Sequence, residues 1–177
     1  MSDPVTITPG PATPPPEPLV CALADLQATQ VLAQRLAAQL EPGLLLFLSG
    51  DLGAGKTTFV RALLRALGFE GRVKSPSFTL LESYELSRFR LYHFDFYRLS
   101  SDRAWLDAGF DDFLGGQGVA VIEWPERAAD SLPRPDLRLR LDFDPAHGEH
   151  ARVARLEAAS ARGAACLNAV RTAGDAC

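Results

Sequence analysis

Gly50-Asp51-Leu52-Gly53-Ala54-Gly55-Lys56-Thr57 fits G-x-x-x-x-G-K-[ST] at every fixed position. Such a loop needs a buried strand before it and a helix after it. Residues 44–48 form a continuous apolar run, as expected of a strand covered on both faces in a parallel sheet. Residues 57–67 carry helical periodicity, with Phe59, Val60, Leu63, Leu64 and Leu67 on one face and Arg61 and Arg65 on the other. Gly68 is the expected stop. The glycines of the loop let backbone N–H groups turn inward around phosphate oxygens, and the helix N-terminus adds partial positive charge there. In this pattern Lys56 reaches the β- and γ-phosphates of a nucleotide, and the Thr57 hydroxyl binds Mg²⁺.

The segments around the loop extend the same pattern. Asp25 is placed to cap a helix in which Leu32, Leu36 and Leu40 recur at four-residue spacing, and Glu41-Pro42-Gly43 ends it. Residues 78–86 and 89–96 are rich in aromatic and branched side chains. Only Ser87-Arg88 separates them, so an antiparallel hairpin is expected. Residues 119–122 read as a second fully apolar strand. Residues 137–143 alternate between apolar and polar side chains, and 153–158 is expected to pair with them. The expected fold is α/β: a P-loop NTPase-like sheet with a central parallel part, antiparallel additions and helices on both faces.

This domain is expected over residues 19–160. Residues 1–18 hold seven of the thirteen prolines and read as a disordered Pro-rich tail. Residues 161–177 are Ala-rich with few large apolar groups, and read as a weakly ordered C-terminal tail.

A phosphate-binding loop needs an acidic group near the metal, held on a neighbouring strand. Glu123 directly follows the apolar run 119–122, the Walker B pattern with Glu in place of Asp. Asp95 lies near the end of the hairpin's second strand. Both are candidates on this reading. The stretch 73–79 lies where GTPases place a nucleotide-sensing switch, so Lys74, Ser75 and Thr79 are candidates to face the γ-phosphate or the attacking water.

Composition narrows the classes further. The 177 residues carry a net charge of −4, with 47% hydrophobic and 23% charged residues, ordinary usage for a globular chain. The run 44–48 is far too short to cross a bilayer. No Lys or Arg precedes Arg35, so no signal peptide is expected. Three widely spaced cysteines suit neither a disulfide framework nor a zinc site, and a cytoplasmic setting is the simplest. The Asn-Lys-x-Asp segment that reads guanine is missing, because the only Asn is Asn168. Adenine is therefore expected. A stand-alone P-loop kinase of a small molecule, with Arg127 and Arg134 in a lid, is the alternative.

The loop with Thr58 and Phe59 resembles that of the TsaE (YjeE) family, the P-loop ATPases of bacterial tRNA threonylcarbamoyladenosine (t6A) synthesis. The likeness continues through Val73-Lys74-Ser75-Pro76-Ser77-Phe78-Thr79-Leu80, Tyr92-His93-Phe94-Asp95-Phe96-Tyr97-Arg98-Leu99, Gly109-Phe110 and Ile122-Glu123-Trp124-Pro125. The resemblance implies a small cytoplasmic ATP hydrolase, slow without partners, that acts on a TsaB–TsaD complex and so on tRNA indirectly. It implies ATP and Mg²⁺ as cofactors. Gly50, Asp51, Leu52, Gly53, Ala54, Gly55, Lys56, Thr57, Thr58 and Leu26 would then contact the nucleotide. Thr57 and Glu123 would take the magnesium positions, Lys56 would hold the phosphates, and Asp95 would serve hydrolysis. Similar proteins can carry a nucleotide-contacting Arg in the turn between the last two strands. Here that turn, 144–150, contains none.

Overall fold

A computed structural model describes residues 16–76 and 79–173. The tail reading for 1–15 and 174–177, and the switch-like positions Ser77 and Phe78, lie outside the described residues.

Seven strands form one sheet: β1 (Leu19–Leu23), β2 (Leu45–Ser49), β3 (Leu81–Glu85), β4 (Arg90–Asp95), β5 (Val119–Glu123), β6 (Leu137–Phe143) and β7 (Arg152–Ala158). Their order is β1-β7-β6-β2-β5-β4-β3. The central strands β6, β2, β5 and β4 are parallel, whereas β3, β7 and β1 are added antiparallel to their neighbours. The hairpin expected from the sequence is β3–β4, paired from Leu81↔Phe94 to Glu85↔Arg90.

Helices α1 (Leu26–Ala37), α2 (Lys56–Ala66) and α4 (Ala161–Thr172) share one core with the sheet. Leu32 and Leu36 of α1, Phe59, Leu63 and Leu64 of α2, and Leu46 and Leu48 of β2 are buried together there. On the other face the short α3 (Ala104–Asp107) and two 3-10 turns (Phe110–Phe113 and Pro125–Ala128) cover Leu45, Phe94, Phe96, Ala120 and Ile122. β2 and β5 are therefore covered on both sides, which is why both read as unbroken apolar runs.

Asp25 caps α1 as its position suggested, its carboxylate accepting the Ala28 N–H at 2.8 Å. Gly68, with φ +86°, follows the end of α2 and its N–H returns to the Arg65 carbonyl.

Over residues 161–172 the structure corrects the reading of a weakly ordered tail. Residues 161–172 form α4, with Ser160 as its cap and Cys166, Leu167 and Val170 buried. Its start is fixed to the sheet through Asp136, which accepts from Ser160 Oγ at 2.5 Å and from the Leu45 N–H at 3.0 Å. β1, for which the sequence reading had no strand, pairs along β7 and turns Cys21 and Leu23 inward. Cys21 is also disulfide-bonded, where the cysteine spacing gave no such expectation.

Candidate functional site

β2 delivers the chain into Gly50–Gly55, and α2 leaves it at Lys56. Gly50 has φ +135°, and a Cβ there would meet the Leu141 carbonyl oxygen at 2.2 Å, so the first loop position admits only glycine. Gly55, in the left-handed conformation, is the N-cap of α2. Asp25 and Ser160 cap α1 and α4 with side-chain oxygens, but among the described residues no side chain caps α2. Its first N–H groups remain available, and the helix dipole favours an anion at that end.

Lys56, the first residue of α2, is only 5% exposed. Its ammonium donates to the Gly50 carbonyl at 2.6 Å and the Asp51 carbonyl at 2.9 Å, and lies 3.8 Å from the centre of the Trp124 ring. Burial lowers its pKa from the ordinary lysine value, and the carboxylates of Glu123, Glu126, Asp95 and Asp51 oppose that shift.

Thr57 Oγ1 donates to Glu123, lying 2.9 Å from one carboxylate oxygen and 3.2 Å from the other. Glu123 ends β5 and is 2% exposed. Asp95 ends β4 in direct register with Glu123, and its Oδ1 accepts the Tyr97 N–H at 3.0 Å. Burial raises the Asp95 pKa, with the Tyr97 N–H acting against the shift.

These groups line a cavity of about 560 Å³, together with Leu52, Gly53, Gly55, Thr58, Ser75, Tyr97, Arg98 and Trp124. Trp124 holds a left-handed backbone, φ 57°, which is uncommon for a non-glycine residue. Its indole is thereby set between Lys56 and the Tyr97 ring, 4.9 Å away. A second cavity of about 440 Å³ shares Gly53, Gly55 and Thr58 with the first and adds Leu26, Ala54, His150 and Arg152.

Among the sequence candidates, Lys56, Thr57, Asp95 and Glu123 converge, with Gly53, Gly55, Thr58 and Leu52 around them. Leu26 and Ala54 belong to the adjoining cavity. Gly50 and Asp51 contribute carbonyls to the lysine rather than surface to either cavity. Of the switch-like positions, Ser75 reaches the site. The Thr79 hydroxyl turns to Glu82, and Lys74 offers its carbonyl to the Tyr84 hydroxyl. Arg127 lies over the Tyr97 ring at 5.8 Å, while Arg134 lines neither cavity.

Besides Tyr97, Arg98 and Trp124 of the cavity wall, two residues beside the site were not singled out by the sequence reading. Arg152 begins β7, just beyond the arginine-free turn. It donates from Nε to the Ala54 carbonyl at 3.2 Å and from Nη2 to the Gly53 carbonyl at 3.4 Å, while stacking over Phe143. A wider window around the turn would have found it. His93, fully buried on β4, stands 2.8 Å from Glu123 through Nε2. Its place two residues before Asp95 puts it on the same face of the strand.

A parallel-centred sheet that feeds a glycine loop into a helix, with acidic residues ending the adjacent strands, defines a P-loop NTPase-like α/β protein. Residues 23–153 match the family model described as "Threonylcarbamoyl adenosine biosynthesis protein TsaE", and the chain belongs to that family. It is 39% identical over 103 residues to the tRNA threonylcarbamoyladenosine biosynthesis protein TsaE of Haemophilus influenzae, spanning 58% of this chain and 65% of that one. The TsaE protein of Treponema pallidum is 40% identical over 121 residues, covering 68% of this chain and 89% of its own. The crystal structure of Bacillus subtilis YdiB superposes with a TM-score of 0.76 at 29% identity, over 90% of this chain and 97% of that one. Among the described residues no helix is long and apolar enough to cross a membrane.

Proposed function

We propose that the chain is a Mg²⁺-dependent ATPase that supports t6A modification of tRNA in the cytoplasm by acting on a TsaB–TsaD-like pair. The observation that carries the proposal is the meeting of the Thr57 hydroxyl and the Glu123 carboxylate at the N-terminus of a helix that no side chain caps. Family membership supports the pathway, and the loop supports the chemistry.

The donor set fits Mg²⁺. Thr57 and Glu123 present hard oxygens, and no cluster of three or more His, Cys, Asp or Glu suited to a metal occurs among the described residues. Mg²⁺ in nucleotide sites is held by one or two protein oxygens plus phosphates and water, rather than by an all-protein cage. Thr57 and Glu123 would hold the ion, which would supply neutralisation of the charge on the phosphate oxygens.

The chain's own residues do the rest. The free N–H groups at the start of α2 hold phosphate oxygens. Lys56 exchanges its two carbonyl partners for phosphate, a stronger charge-assisted bond. Asp95, lying beside Glu123 but not bonded to Thr57, orients the attacking water. Its raised pKa makes it a better proton acceptor than an ordinary carboxylate. Leu26, Ala54 and Arg152 receive the nucleoside end in the second cavity.

Among the described residues, Arg98 is the one arginine that lines the first cavity, and no second one joins it there. An added cation in such sites accelerates hydrolysis by roughly 10³–10⁵. Slow turnover alone and acceleration by partners are therefore expected. The test is steady-state phosphate release by the chain alone, with a TsaB–TsaD pair, and with the pair plus tRNA. A fast rate unchanged by the pair, or a phosphorylated small molecule in place of free phosphate, would overturn the proposal.

A further inference from the structure

We propose that His93 is a positioning residue for the metal site: it ties Glu123 Oε1, the oxygen nearer the Thr57 hydroxyl, and so fixes the carboxylate with Oε2 left for the ion. The proposal rests on the reading that Thr57 and Glu123 hold Mg²⁺.

His93 has no exposed surface, and its Nε2 lies 2.8 Å from Glu123 Oε1. Its Nδ1 is buried with no hydrogen-bond partner among the described residues. A carboxylate only accepts, so Nε2 carries the proton of this contact. The ring therefore makes one hydrogen bond, directed at one atom. Its strand neighbours on the same face are apolar or acidic: Leu91 lies two residues before it, Asp95 two after, and Val121 pairs with it on β5. An apolar side chain would fill this place without leaving a polar atom unpaired. What the imidazole adds is the donor to Glu123.

A glutamate has three rotatable bonds, and an untethered carboxylate samples several orientations. Here Oε1 is tied to His93 as well as to Thr57, whereas Oε2 meets Thr57 alone at 3.2 Å. The carboxylate is thus aligned before an ion arrives. Groups that hydrogen-bond metal ligands in this way typically set metal affinity by 10–100-fold.

The experiment titrates Mg²⁺ into the full-length chain with a non-hydrolysable ATP analogue, for wild type, His93→Leu and His93→Gln, with Mg²⁺-free analogue binding measured alongside. Gln places an amide N–H near the position of Nε2, while Leu only fills space. Half-saturating Mg²⁺ is expected to rise at least about tenfold in His93→Leu and to be largely restored in His93→Gln, with Mg²⁺-free binding unchanged in both. Equal Mg²⁺ dependence in wild type and His93→Leu would overturn the role of His93. So would a His93→Gln variant as impaired as His93→Leu, since packing alone would then account for the loss. A wild-type chain whose analogue binding ignores Mg²⁺ would instead overturn the metal reading itself. Nitrogen NMR of the wild-type imidazole gives a check that needs no variant: a proton on Nε2 is expected, and an Nε2 without a proton would overturn the proposal.

Discussion

Asp95 and Glu123 stand in direct register at the carboxyl ends of the adjacent parallel strands β4 and β5, yet only Glu123 is bonded to the Thr57 hydroxyl. On the proposed function, the two carboxylates on neighbouring strands divide the work. Glu123→Ala is expected to weaken analogue binding in the presence of Mg²⁺ and to leave Mg²⁺-free binding near wild type. Asp95→Asn is expected to bind normally with Mg²⁺ and to lose phosphate release. Calorimetric titration with and without Mg²⁺ separates the two, and equal affinity in wild type and Glu123→Ala would remove Glu123 from the metal site.

The same Asp95→Asn variant has a stability signature. Burial raises the folded pKa of Asp95 above the unfolded value of about 3.9. The folded state then holds its proton more tightly than the unfolded chain does. Below the unfolded value this costs nothing, and stability falls as pH rises through the window up to the folded value. Asparagine keeps an oxygen for the Tyr97 N–H and removes the buried charge. Thermal melts of the ligand-free protein should show Asp95→Asn above wild type at pH 7, by roughly 2–4 °C for each kcal/mol relieved. The difference should vanish below about pH 4.

Lys56→Ala is expected to abolish turnover while leaving the melting temperature unchanged or slightly higher. The ammonium is desolvated between two carbonyls and an indole, and burial already disfavours its charge. On the proposed function, its removal takes charge from the phosphates without opening the apolar core. Phosphate release and a thermal melt on the same preparation check this; turnover by a folded Lys56→Ala protein would move the phosphate site elsewhere.

Arg152→Ala is expected to lower ATP affinity by about tenfold, near 1.4 kcal/mol, the order of one charged hydrogen bond. Arg152 holds the carbonyls of Gly53 and Ala54 and walls the second cavity, so its loss loosens that part of the loop. Unchanged analogue affinity would show that β7 has no part in the site.

Leu167→Ala is expected to cost about 2–5 kcal/mol, as for a buried leucine in a well-packed core. Urea denaturation measures it. A loss under about 0.5 kcal/mol, the scale of ordinary surface changes, would show that α4 does not belong to the folding unit.

Local pattern made the centre of the molecule legible. The apolar runs of β2 and β5, the glycine loop and the face of α2 are each contained within a few consecutive residues, so strand, turn and helix could be read in order. The parts that escaped depend on distant partners. β1 turns only Cys21 and Leu23 fully inward, too few for its alternation to stand out, and its pairing is with β7 more than a hundred residues away. α4 buries just one leucine, one valine and one cysteine of any size, and its fit rests on Gly163, where a Cβ would meet the Asp136 carbonyl oxygen at 1.9 Å. His93 stood within a stretch already singled out, but its bond to Glu123 arises from the register of β4 against β5. Arg152 likewise reaches back 98 residues to the loop.

The chain has two tryptophans. Trp105 is sealed in the core, its N–H held by Ser131 at 2.8 Å, and its emission should change little with events at the loop. Trp124 is held by its left-handed backbone with the Lys56 ammonium 3.8 Å from the ring centre. A cation so near an indole face interacts directly with its π electrons. Any anion that draws Lys56 away therefore changes the surroundings of one fluorophore against a steady background, and the lysine's departure can be followed optically without a label.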